Sequence, residues 1–194
     1  MRDLVVDLFS GTGAATEPFK ECDAHEVVRV DVAGTPDLRC DVRDLPPWLL
    51  REHPAFVWAS PPCQEFSKIR KIWNPPRYRD RHRRPADMSL VNLTLGLIER
   101  WKPREWVLEN ACHLQDFLGP PEAKRGGFYL WGSPNVLKTL PPLNHAKIGG
   151  SWNPTRPSYA RKNWADSGTA EGRATIPREL AEAVHEAVCP KGDG

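Results

Sequence analysis

The stretch Trp58-Ala59-Ser60-Pro61-Pro62-Cys63-Gln64-Glu65-Phe66-Ser67 constrains this chain more than any other. The apolar run from Ala55 to Ala59 predicts a buried strand, and two prolines stop it. Proline lacks a backbone donor and fixes φ, so Pro61-Pro62 cannot continue a central ladder. The pair instead mounts Cys63 in a rigid turn at the strand's carboxyl end, where open α/β sheets bind their ligands. A thiol on such a mount suits nucleophilic attack. The competing reading is a half-buried structural cysteine, so the rest of the chain must decide.

Asp3 to Phe9 predicts a first buried parallel strand, and it runs into Ser10-Gly11-Thr12-Gly13-Ala14-Ala15-Thr16. Glycines at a strand-to-helix turn let backbone approach a ligand closely, and the following helix offers free N–H groups. A second strand, Glu26 to Asp31, ends in an acid at a distance suited to a ribose hydroxyl. Asp41 follows Leu38-Arg39-Cys40 at a third strand end. Singly, each aspartate fits a cap or a turn; together with Gly-x-Gly they outline one adenosine pocket.

Past Ser67 the chain turns basic: Lys68, Arg70, Lys71, Arg77, Arg79, Arg81, Arg83 and Arg84, with Trp73 and Tyr78 interleaved. A solvated loop accounts for such a run, but cations mixed with aromatics beside a candidate nucleophile also suit phosphate contacts and base stacking. An amphipathic helix is predicted from Ala86 to Arg100, with Met88, Val91, Leu95 and Ile98 on one face. It crosses to a strand, Glu105 to Leu108, that delivers Glu109-Asn110-Ala111 to the same cleft. A buried carboxyl there can act as an acid. Gly126 to Gly132 predicts a strand, paired in a hairpin with Asn135-Val136-Leu137. Residues 141 to 172 lack periodicity and read as an irregular surface segment. A last helix, Pro177 to Val188, packs Leu180, Val184, Ala187 and Val188 on the sheet.

The net charge of +2 over 194 residues means that any affinity for nucleic acid must come from local clusters. Cys22, Cys40, Cys63, Cys112 and Cys189 show no CxxC spacing, and the six histidines form no ligand pattern. Neither a disulfide framework nor a metal site is expected. No apolar run is long enough to span a membrane, and no signal-like stretch opens the chain. The expectation is a soluble, cytoplasmic, monomeric protein of one domain, residues 1–194.

These residues resemble the DNA cytosine-C5 methyltransferase family. Asp7 to Gly13 is similar to its cofactor loop, Ser60 to Ser67 to its catalytic loop, and Glu109-Asn110-Ala111 to its Glu-Asn pair. Ile176 to Ala181 resembles its returning helix. The resemblance covers about the first 140 residues and the last twenty-odd, and implies an α/β, Rossmann-like methyltransferase fold with a mostly parallel sheet and a small irregular insertion. It implies S-adenosyl-L-methionine as cofactor and double-stranded DNA as partner, in a bacterial or phage-infected cell. The implied catalytic residues are Cys63, Glu109, Asn110 and Arg125. The implied cofactor residues are Asp7, Phe9, Ser10, Gly11, Thr12, Gly13, Asp31, Val32, Asp41, Val42 and Pro61. Gln64, Ser67, Lys68, Arg70, Lys71, Arg77, Arg79, Arg81, Arg156, Arg161 and Lys162 are the DNA-contacting candidates. Residues 141–172 stand as a reduced target-recognition segment, which implies a short recognition site.

The chain departs from the family in three places. Glu122-Ala123-Lys124-Arg125-Gly126-Gly127 stands where the family has Gln-x-Arg-x-Arg, Arg173-Ala174 replaces a Gly-Asn pair, and Ala14 replaces a glycine. An RNA cytosine methyltransferase and a non-catalytic cofactor- or DNA-binding relative are the alternatives.

Overall fold

The computed structural model describes residues 2–67, 85–142 and 175–190. Seven strands form one sheet: β1 (Asp3–Leu8), β2 (His25–Asp31), β3 (Leu38–Arg39), β4 (Phe56–Ala59), β5 (Glu105–Asn110), β6 (Ala123–Arg125) and β7 (Phe128–Gly132). Their spatial order is β3-β2-β1-β4-β5-β7-β6. The first five are parallel, and β7 runs antiparallel to both β5 and β6. The order reverses between β1 and β4, which opens a crevice at their carboxyl ends.

The central strands are continuous apolar runs because both faces of a parallel sheet are covered. All four residues of β4 are buried, as are Val5 to Leu8 of β1. Alternation sorts their side chains between two cores. Val5, Phe56, Trp58, Val107 and Leu130 pack with Phe19 of α1 (Glu17–Lys20), with α4 (Pro134–Leu137), and with α5 (Arg178–Val188). Val6, Leu8, Val28, Val30, Val57 and Ala59 face α2 (Ser89–Trp101) on the other side. The chain is thus a three-layer α/β sandwich, with a further short helix, α3 (Gln115–Leu118), after β5.

Three local expectations are corrected. The partner of β7 is the upstream β6, and Pro134 to Leu137 is a helix, not a strand. Its Pro134 sits in the first turn, and Val136 and Leu137 are buried as a helical pair. Gly132 explains the switch: its φ is 145°, and a Cβ there would lie 2.2 Å from the Trp106 carbonyl oxygen. The chain therefore leaves the sheet at once. In α2 the buried face is Val91, Thr94, Leu97, Ile98 and Trp101, while Leu95 and Met88 are half-buried against a smaller cluster with Phe66 and Leu108. Lastly, the helix after Gly-x-Gly has four residues and begins only at Glu17. The loop's geometry comes from elsewhere.

Among the described residues, no helix is long and apolar enough to cross a membrane.

Candidate active site

The turn after β1 is shaped by β2. The Gly11 N–H donates to Asp31 Oδ2 at 2.9 Å, and the Ala33 N–H donates to Asp31 Oδ1 at 2.9 Å. Gly11 and Gly13 have φ of 53° and 74°, which favours glycine. Arg29, a residue the sequence did not single out, reaches under the turn. Its guanidinium donates to the Gly13 carbonyl at 2.9 Å, to Thr16 Oγ1 at 3.2 Å and to Glu17 at 2.6 Å. Phe9 is left with φ of 59°, an uncommon conformation for an aromatic residue.

Asp7 lies beneath this turn, buried, and accepts a 2.7 Å hydrogen bond from the Thr16 hydroxyl. Burial pushes its carboxyl up to about 7, although the Thr16 hydrogen bond and the Arg29 charge pull the other way. Its second oxygen has no partner among the described residues. A folded-state pKa above the unfolded value of 3.8 means that the native state binds the proton more tightly. Stability is then greatest below the unfolded value and falls as pH rises through the folded one. Asp7→Asn cannot ionise. Its unfolding free energy should gain on wild type between about pH 4 and 7, by up to roughly 1.4 kcal/mol per pH unit, and level off above. Urea titrations at a series of pH values check this; a pH-independent difference refutes it.

The strand-end residues that the sequence groups as an adenosine pocket lie close to one another. β3, β2 and β1 are adjacent and parallel, so the Gly-x-Gly turn, Asp31 and Asp41 share one sheet edge. Asp31 has lone pairs beyond the two used by backbone amides. Val32 beside it is 65% exposed. The Ser10 hydroxyl is buried with no partner among the described residues. An acid, an uncovered apolar side chain and an unpaired hydroxyl around a glycine turn fit a nucleoside-bearing cofactor. Asp41 caps a 3₁₀ turn through the Arg43 N–H and pairs with the Arg43 guanidinium, both at 2.9 Å. The Val42 side chain is in the core, which leaves only its backbone for a ligand.

The second half of the site stands on β4 and β5. Ala59 pairs with Leu108, so Ser60 and Glu109 follow side by side. Trp58 Nε1 donates to the Ser60 hydroxyl at 2.8 Å, and Ser60 hydrogen-bonds Glu109. Desolvation pushes the Glu109 carboxyl up to about 7 against the pull of that hydrogen bond. Cys63 begins a 3₁₀ turn, Cys63–Glu65. Burial raises its thiol above the ordinary value, and the nearby Glu109 charge raises it further. The two groups therefore sense each other across adjacent strand ends.

Asn110 is completely buried, and its amide donates to the Pro61 carbonyl at 2.9 Å while its oxygen accepts from the Ala111 N–H at 2.8 Å. It clamps the cysteine-bearing turn to β5. Phe66, buried beyond the turn, accepts a backbone hydrogen bond from His113 at 3.1 Å and anchors the other end. Pro61 is buried and Gln64 exposed, with Ser67 half-buried. Arg125, on the edge strand β6, donates to the Lys124 and Leu140 carbonyls, and its buried Nε has no partner among the described residues. Lys68, Arg70, Lys71, Arg77, Arg79, Arg81, Arg156, Arg161 and Lys162 lie outside the described residues, as does segment 141–172 beyond its first two prolines.

Over 117 residues the chain is 40% identical to the "Probable DNA (cytosine-5)-methyltransferase" of Frog virus 3 (isolate Goorha). That similarity covers 55% of this chain and 52% of the viral protein. Over that stretch the chain is similar to a protein described as a probable DNA cytosine-5 methyltransferase. It spans about half the length of that curated relative. A solved structure from E. coli, of a candidate DNA modification methyltransferase encoded within a prophage, is also similar. It shares 16% identity at a TM-score of 0.38, over 58% of this chain and 33% of its own. No family model matches.

Proposed function

We propose that this methyltransferase relative transfers a methyl group from S-adenosyl-L-methionine to C5 of a cytosine flipped out of duplex DNA. The observation that carries the reading is the pairing of Cys63 with a Glu109 whose carboxyl stays protonated up to about pH 7. Cytosine C5 is too weak a nucleophile to be alkylated directly. The Cys63 thiolate adds to C6, and the ring electrons move toward C5. Protonated Glu109 donates a hydrogen bond at N3, where charge develops, and the Ser60 hydroxyl holds it there. Bound cofactor supplies an electrophilic methyl on a sulfonium. With C5 methylated, a base removes the C5 proton, the ring regains its double bond, and the thiolate leaves as it entered.

Asn110 keeps the Pro61-Pro62-Cys63 turn fixed, so the thiol meets C6 along one direction. Phe9, Ser10, Gly11, Thr12, Gly13, Asp31, Val32, Asp41, the Val42 backbone and Pro61 would hold the cofactor, over a floor formed by Asp7. Because a duplex hides the C6 face, the base must leave the stack. Gln64, Ser67 and the basic run from Lys68 to Arg84 would then hold the backbone, a contribution that is blind to sequence. Few residues are available between Pro141 and Gly172 for base reading, at roughly 1–3 kcal/mol per good bidentate contact. The recognition site is therefore short.

Incubating the protein with labelled S-adenosylmethionine and either duplex DNA or RNA tests the substrate class. Label should enter DNA alone, and bisulfite sequencing of a methylated random library should return fewer than about four fixed bases. Label in RNA would move the reading to an RNA cytosine methyltransferase. No label in either would favour a non-catalytic relative.

A further inference from the structure

The opposite edge of the sheet, at the amino ends of the strands, carries a second constellation. Cys22 lies in the turn after α1, His25 opens β2, and His185 and Cys189 lie at the end of α5. In the sequence they are two unremarked pairs 160 residues apart, Cys22-x-x-His25 and His185-x-x-x-Cys189. In the fold, one ligand atom each from Cys22, His25 and His185 lie within 4.8 Å of one another. Cys189 Sγ is 3.2 Å from His25 Nε2. All four residues border one cavity of about 570 Å³, together with Asp3 and Arg104.

We propose that Cys22, His25, His185 and Cys189 form a four-coordinate site for a zinc-class divalent cation. Two sulfurs and two imidazoles are the donor set that borderline-soft zinc takes in closed structural sites, and the short spacing within each pair is usual there. Tetrahedral zinc with these ligands needs donor–donor separations of roughly 3.3–3.8 Å. The His25–Cys189 contact is already about that close, and the donors of Cys22, His25 and His185 lie within 4.8 Å of one another. Two thiolates would cancel the charge of a dication, so the partly buried site would hold no net charge.

Other features prepare the site. The Phe19 ring packs edge-on against both imidazoles, with centroids 5.4 Å from His25 and 4.8 Å from His185, which fixes their planes. His25 is 8% exposed, and its Nε2 faces the Cys189 sulfur. The bound ion would staple the last helix to the first strand–helix–strand unit, closing a loop of most of the chain. This site faces away from Cys63 and does not depend on the methyltransferase reading.

The test uses untagged full-length protein stripped with a chelator and titrated with cobalt(II), then with zinc. One equivalent of cobalt should produce thiolate-to-cobalt charge-transfer absorption and the intense visible bands of a tetrahedral centre, and zinc should displace it. Zinc should also raise Tm. Cys22→Ser or His185→Gln should weaken cobalt binding at least about tenfold, and Cys189→Ser should diminish the charge-transfer band. Cys63→Ala should leave the spectrum intact, which ties the signal to this edge of the sheet. A wild-type protein without these bands, bands that survive Cys22→Ser with His185→Gln, or a Cys22–Cys189 disulfide in protein isolated without oxidant would each overturn the proposal. Should the double variant fail to fold, the single Cys189→Ser spectrum decides the same question.

Discussion

Cys63→Ala should lower methyl transfer by at least about 10⁴-fold, the loss expected when a covalent nucleophile is removed. Its effect on cofactor affinity should be slight. The thiol sits on the turn after β4, whereas the loops proposed to hold the cofactor follow β1, β2 and β3. The two are neighbours but not the same surface. A duplex carrying 5-fluorocytosine gives the complementary result. After methyl transfer the fluorine at C5 cannot leave as a cation, so the Cys63–C6 bond persists. A denaturing gel should then show a DNA-shifted band with wild type and none with Cys63→Ala. Methylation that survives in the alanine variant would remove covalent catalysis altogether.

Glu109→Gln should change the shape of the pH profile as well as its height. The productive state needs Glu109 protonated and Cys63 ionised. Yet Glu109 loses its proton at about 7, while Cys63 is pushed above its ordinary 9.0. Only a minor population of free enzyme holds its protons in that arrangement. Its fraction rises through the lower value, is level between the two, and falls beyond the higher one. Wild-type kcat/KM should therefore be bell-shaped, rising through about pH 7 and declining in the alkaline range. A glutamine cannot ionise, so the variant should follow thiolate formation alone and keep rising with pH. Its rate near neutrality should drop by about 10²–10³-fold, as for loss of one transition-state donor. An alkaline decline retained by Glu109→Gln would show that another group, not this carboxylate, limits the reaction.

The two carboxyl-end loops were legible because each is spelled in contiguous residues. Pro61-Pro62 can only end a strand, and Gly11 and Gly13 announce a turn with positive φ. The strands β1, β2, β4 and β5 were legible as apolar runs, since parallel strands buried on both faces need no alternation, while their spatial order came only from the fold. The hairpin was misassigned for a non-local reason. Nothing near Gly132 in sequence reveals that the Trp106 carbonyl occupies the space a side chain would take.

Other contributions are purely tertiary. Arg29 reads as an ordinary strand residue, yet in the fold its guanidinium underpins the Gly-x-Gly turn, which the four-residue helix that follows does not reach. Asn110 reads as half of a catalytic pair, while its buried amide grips Pro61 across two strands. The raised carboxyls of Asp7 and Glu109 depend on desolvation, which exists only once other segments cover them. The same holds for Cys22, His25, His185 and Cys189, scattered in sequence and gathered only when α5 returns to the sheet. Residue types and short spacings determined which chemistry this protein can carry. Where charge is buried, and which distant side chains meet, was decided by packing between segments that the linear order keeps apart.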